Sequence, residues 1–120
     1  MRTFVEYQVA ALRTAPDQGR LDRLVHASLG LSTEVGEFVS EVKRMSQYGK
    51  EMSPDMHKHM AEELGDVLWY VALACEALDT PMTFIARENI EKLRKRFPEK
   101  FSGEAAEARA DKAGLGHRES

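Results

Sequence analysis

Residues 53–78 read SPDMHKHMAEELGDVLWYVALACEAL, and they decide the fold. Ser53 followed by Pro54 is a helix start, because a serine hydroxyl accepts an orphan amide of the first turn and a proline at the first helical position gives up no hydrogen bond. From there Met56, Met60, Leu64, Val67, Val71, Ala74 and Leu78 recur at three- and four-residue intervals. That is the period of a helix with one buried stripe. Nothing in the stretch alternates with the two-residue period of a strand.

Upstream, Gly49-Lys50-Glu51-Met52 forms a connection, and before it a long helix is expected from about Leu21 to Gln47. Its stripe is Leu24, Leu31, Val35, Phe38, Val42 and Met45, closed by Gly49. A shorter helix is expected over Thr3 to Ala15, stopped by Pro16 and the Asp17-Gln18-Gly19 turn. Downstream, Thr80-Pro81 repeats the cap-plus-proline signal and opens a fourth helix that ends at Phe97, before Pro98. The expected fold class is all-α, a bundle of three or four helices per chain. It occupies residues 1–101, with 102–120 as a polar C-terminal tail, flexible or packed on another subunit. That tail has one large aliphatic residue, Leu115, so it buries too little apolar area to offset its ordering entropy.

Composition narrows the function classes. The 120 residues are 42% hydrophobic and 31% charged, an ordinary globular balance. A net charge of −3 offers no overall positive field, so no nucleic acid is expected as a partner. The single cysteine, Cys75, excludes a disulfide framework and reads as a small buried hydrophobe in a reducing compartment. The longest apolar run, Val67 to Cys75, is 9 residues, against the roughly 20 that a membrane span needs. The N-terminal residues lack the apolar core of a signal peptide. A cytoplasmic location with no membrane partner is expected.

Two acidic clusters carry the chemistry. Glu34 and Glu37 are one turn apart, with Glu41 on the same face, since all three lie within about 60° of one another at the helical period. Glu63 and Asp66 repeat the arrangement on the next helix, after Glu62. Both sets border an apolar stripe, so packing the stripes brings the carboxylates to one groove. There they repel unless a cation neutralises them, and oxygen-only ligands suit a hard ion such as Mg²⁺ or Mn²⁺. The other reading is a helical interaction module whose acidic face is decorative. Against it, each pair encloses a glycine, Gly36 or Gly65, which costs about 1 kcal/mol relative to alanine inside a helix. Such a glycine admits close backbone approach or leaves space for a ligand. A di-iron carboxylate bundle is disfavoured because the chain contains no Glu-x-x-His.

Taken together, Glu34-Val35-Gly36-Glu37, then Glu62-Glu63-Leu64-Gly65-Asp66-Val67-Leu68-Trp69-Tyr70, then Asn89-x-x-Lys92-Leu93-x-x-Arg96-Phe97-Pro98 resemble the MazG-like family. These are all-α nucleoside triphosphate pyrophosphohydrolases with the pattern E-x-x-E, a spacer, then E-x-x-D. Here 25 residues lie between Glu37 and Glu63, which fits that spacer, and the resemblance runs from about Phe4 to Phe101. One departure is Thr33, where many relatives carry a further glutamate. The resemblance implies hydrolysis of a nucleoside or deoxynucleoside triphosphate between the α and β phosphates, giving a monophosphate and pyrophosphate. It implies that Glu34, Glu37, Glu63 and Asp66 are catalytic residues that bind magnesium. It also favours Asn89 and Lys92 as phosphate ligands.

By position, Arg96 lies one turn from Lys92 and can join it at a phosphate, and Lys43 is a candidate of the same kind. Trp69 and Tyr70 read as core or interface aromatics with a possible stacking role, and His26 as a structural or base-pocket histidine. His57 and His59 point about 200° apart on a helix and read as surface residues. Finally, both central helices carry apolar residues well beyond one stripe, Leu21, Val25, Leu29 and Val39 on one, Leu68, Trp69 and Leu73 on the other. Excess of this kind predicts a homodimer or homotetramer.

Overall fold

A computed structural model describes residues 3–98 of the chain. It is all-α: the described residues form α1 (Phe4–Leu12), α2 (Arg20–Tyr48), α3 (Pro54–Ala77) and α4 (Met82–Arg96). The expected tail, 102–120, lies outside the described residues. The described residues fall into two units, one ending at Thr83 and the other beginning at Phe84.

Local chemistry sets the boundaries. Thr3 and Glu6 form a capping box at the start of α1, with Glu6 N–H donating to Thr3 Oγ1 at 3.0 Å and Thr3 N–H to Glu6 Oε1 at 3.2 Å. Gly49 closes α2 in the left-handed region at φ 68°, where a side chain would be strained. Ser53 Oγ accepts from Met56 N–H at 3.1 Å, and Pro54 opens α3 as expected. The start of α4 differs from the expectation. The Thr80 hydroxyl donates back to Leu78 O, and the Met82 amide is met instead by Gln8 Oε1 of α1 at 3.0 Å. A side chain distant in sequence has taken the role of a local cap.

The first unit is built on α2 against α3, which run antiparallel across the short Gly49–Ser53 connection, with α1 against α3. Ala72, Cys75 and Met82 form a buried cluster, flanked by Tyr7, Ala11 and Val71, and Leu73, outside that cluster, is also fully buried. Cys75 is 4% exposed, as expected of a small hydrophobe, and burial pushes its thiol pKa up. Ala27, Ala72 and Ala77 are also buried, and such small side chains let the helix axes approach closely. Trp69 pins α1 to α3, its Nε1–H reaching Ala11 O at 3.1 Å and Thr14 Oγ1 at 3.0 Å. Among the described residues no helix is long and apolar enough to cross a membrane.

The seam follows a different line of residues from the one expected. On α2 the seam line is Leu24, Ala27, Leu31, Glu34, Phe38, Glu41 and Met45, all partly or fully buried, with Arg23, His26 and Gly30 partly buried beside it. Val35 and Val42, expected in the stripe, are exposed. On α3 the line is Met56, Met60, Glu63, Val67, Tyr70, Ala74 and Ala77, whereas Leu64 and Leu78 are exposed. Both lines alternate steps of three and four, the knobs-into-holes register of packed helices. The acidic residues Glu34, Glu41 and Glu63 therefore occupy seam positions instead of bordering them.

Candidate metal centre

A buried carboxylate is costly unless something neutralises it, so glutamates in a helix seam demand an account. Glu63 is the extreme case: its residue is 4% exposed, the sole buried charged residue among those described. Across the seam α2 supplies Glu34, half-buried, and Glu37, exposed one turn further on. One carboxylate oxygen from each of Glu34, Glu37 and Glu63 lies within 4.8 Å of the others. The trio thus runs from the interior to solvent, buried at Glu63 and open at Glu37.

Electrostatics follow from this crowding. The Glu63 carboxyl is raised from its ordinary 4.5 to about 7, first by a hydrogen bond shared with Glu34. Burial comes next, then a hydrogen bond with Glu37 and the repulsion of both neighbours. Such a bond between carboxyls exists only when one of them holds a proton. With all three ionised, Glu63 Oε1 is buried with no hydrogen-bond partner. A proton on one carboxyl, or a cation among them, relieves the repulsion and satisfies that oxygen. Three convergent carboxylates with a partnerless buried oxygen fit a hard divalent cation, whose ligands are oxygens.

Asp66 is not part of this trio. It is exposed on α3, one turn beyond Glu63, and its charge acts on Tyr7, whose phenol pKa is raised by burial first and by Asp66 second. Gly36 and Gly65, which precede Glu37 and Asp66, have nothing within 4 Å of where a Cβ would stand. Close backbone approach, one of the two roles expected for these glycines, is therefore absent at both, and both are exposed. Lys43 is exposed on α2. Asn89, Lys92 and Arg96 lie on α4 in the second unit, spaced to share one face, with Lys92 and Arg96 half-buried.

Two residues near the trio carry more than their sequence reading gave them. His59 is half-exposed, but it is no free surface residue: its Nε2 stands 3.2 Å from Glu63 Oε2 and its Nδ1 3.4 Å from Glu41 Oε2. The signal was present as the four-residue interval from His59 to Glu63. Glu41 carries a second buried oxygen, Oε1, without a hydrogen-bond partner. At the other end of the seam, His26, Trp69 and Tyr70 form an aromatic cluster with ring centroids 5.1 to 5.9 Å apart. Tyr70 lies so close over Gly30 that a Cβ there would collide with its ring. That glycine was not singled out from sequence.

Comparison with known proteins gives two matches. A family model, the MazG nucleotide pyrophosphohydrolase domain, matches residues 26–101. The chain is also 33% identical over 96 residues to the "Gene 37 protein" of Mycobacterium phage L5, covering 75% of this chain and 84% of that one. No solved structure matches.

Proposed function

The chain belongs to the MazG nucleotide pyrophosphohydrolase family, and on that premise we propose that it hydrolyses a nucleoside or deoxynucleoside triphosphate between the α and β phosphates. The products are a monophosphate and pyrophosphate. The observation that carries this reading is the trio of Glu34, Glu37 and Glu63, with its buried and partnerless Glu63 Oε1. Carboxylates alone repel a triphosphate, so a fold that converges three of them is built to hold a cation between protein and substrate.

Glu34, Glu37 and Glu63 would hold Mg²⁺ or Mn²⁺, with Asp66 as the fourth acidic residue of the set on the next turn of α3. Bound there, the metal supplies charge neutralisation at the phosphates and a more acidic water. The carboxylates do the rest. Glu63, seated in the packed seam, fixes the inner wall of the site. Glu37 and Asp66 face solvent, from which the substrate enters. A carboxylate oxygen not spent on the cation orients the attacking water and takes its proton. Asn89, Lys92, Arg96 and Lys43 bind the phosphate oxygens, lysine and arginine as charges and asparagine as an amide donor.

We further propose that the working species is a homodimer or homotetramer in the cytoplasm. Leu21, Val25, Leu29 and Val39 of α2, with Leu64 and Leu68 of α3, are large apolar residues left between 39% and 71% exposed. A second copy is the simplest cover for such faces. The decisive experiment is a panel of NTPs and dNTPs with Mg²⁺ or Mn²⁺ and the products resolved. Monophosphate plus pyrophosphate, lost in EDTA, is the expected result. Orthophosphate with a diphosphate contradicts the reaction type, and full activity in EDTA contradicts the metal.

A further inference from the structure

We propose that His59, backed by Glu41, is a positioning pair for the metal centre: its ring straddles the α2–α3 seam and holds Glu63 Oε2, so that Oε1 is the oxygen left for the cation. The proposal rests on reading the trio of carboxylates as a cation site, and it adds two residues that touch neither cation nor substrate.

Nothing in the Glu63 side chain itself holds its carboxylate toward Glu34 and Glu37. A glutamate side chain has three rotatable bonds, and holding it in one geometry costs conformational entropy. Glu34 and Glu37 repel it, so an untethered Glu63 carboxylate swings away from them. The opposing hold must come from the far side of the carboxylate and must be positive or a donor. His59 is there. It stands one turn before Glu63 on α3, with Nε2 at 3.2 Å from Glu63 Oε2. Its other nitrogen, Nδ1, faces Glu41 Oε2 of α2 at 3.4 Å. Protonated at both nitrogens, the ring is attracted to carboxylates of two helices and fixed in orientation by both; Glu41 is 14% exposed at the side chain. The ring stays half-exposed and closes the outer edge of the seam.

The arrangement has the logic of outer partners in metal sites, where a ligand's second contact sets its orientation and loss of that contact costs about 10–100-fold in affinity or activity. Neither residue belongs to the trio, and neither is required by apolar packing: His59 is exposed and Glu41 occupies a seam position where a hydrophobe would serve the fold better.

The test is Mn²⁺ binding to the full chain without nucleotide, followed by the electron paramagnetic resonance of free Mn²⁺. The variants are His59→Ala, His59→Gln, Glu41→Gln and the double variant His59→Ala/Glu41→Gln. His59→Ala is expected to weaken Mn²⁺ binding about 10-fold or more, with a metal-free melt close to that of the unmodified chain. His59→Gln, which restores an N–H donor, should recover most of that loss. Glu41→Gln should lose less than His59→Ala, and the double variant should be no weaker than His59→Ala, because Glu41 acts through His59. Unchanged affinity in His59→Ala overturns the pair, as do equal losses in the alanine and glutamine variants or fully additive losses in the double variant. If the unmodified chain binds no Mn²⁺, the metal reading fails and the pair with it. If it binds and His59→Ala binds equally, only the pair fails.

Discussion

The α2–α3 seam has two halves that share a register and differ in chemistry. Where the start of α2 meets the end of α3, the seam is apolar: Leu24, Ala27 and Leu31 against Tyr70, Ala74 and Ala77, with Leu73 fully buried alongside. Where the end of α2 meets the start of α3, the same spacing delivers Glu34, Glu41 and Glu63 among Phe38, Met45, Met56 and Met60. The first half gains from burial, about 1.5–3 kcal/mol for a large aliphatic side chain taken out of water. The second half loses from it, since its carboxylates are crowded and one oxygen of Glu63 has no partner. Helical periodicity decides which residues meet, and residue type decides whether the meeting stabilises the fold or builds a site.

Substitutions that break this contrast should have effects of very different size. The largest is on turnover. Glu63→Gln removes a charge and a ligand oxygen, and should lower the rate by about 10²–10³-fold, the scale seen when one charge-stabilising group is lost from an active site. Its metal-free melting temperature should stay level or rise, because repulsion is relieved. A near-normal rate would return the acidic half to surface decoration. Leu73→Ala does the converse. It should cost about 2–5 kcal/mol in chemical denaturation, while Mn²⁺ affinity of the folded protein stays within a few-fold.

The glycines sharpen the same comparison at smaller scale. Gly30→Ala sets a Cβ into the Tyr70 ring, and overpacking of that kind should cost about 1–3 kcal/mol. Gly36→Ala meets open space, so the helix should gain up to about 1 kcal/mol. If substrate uses that space, Gly36→Ala should still raise KM, and a chain both stabler and kinetically unchanged would show the opening to be unused.

The pH dependence has a definite sign. Glu63 titrates at about 7 in the folded chain against 4.5 ordinarily, so the folded state binds more protons than the unfolded one between those values. Stability of the metal-free protein from this group is fully present below pH 4.5 and is lost as pH rises toward about 7. Urea denaturation in EDTA at several pH values should show that decline, and Glu63→Gln should flatten it.

The four helices and their order were legible in the sequence because their ends carry local chemistry: Ser53-Pro54 and Gly49 act within one turn, and Pro16 and Pro98 mark stops. The cap of α4 was not, since Gln8 reaches Met82 from far along the chain. The acidic pairs were legible as residues sharing a face. Their depth was not, because reading stripes from apolar residues alone selects Val35, Val42 and Leu64 and passes over Glu34, Glu41 and Glu63. A strict three-four count that ignores polarity recovers the seam and points to the glutamates inside it. The clash that requires Gly30 was illegible for the same reason as the Gln8 cap: it depends on a partner, Tyr70, on another helix. The placement of residues 102–120 lies outside the described residues.

The central claim is that the acidic half of the seam is a cation site, and thermal melting with and without metal tests it most directly. The chain is melted at pH 8 in EDTA and again with Mn²⁺ at about 100 times its dissociation constant, where a ligand specific to the folded state adds about 2.7 kcal/mol. The account predicts a clear rise in melting temperature for the unmodified chain and little or none for Glu63→Gln. Identical melts of the unmodified chain in EDTA and in Mn²⁺ would contradict it.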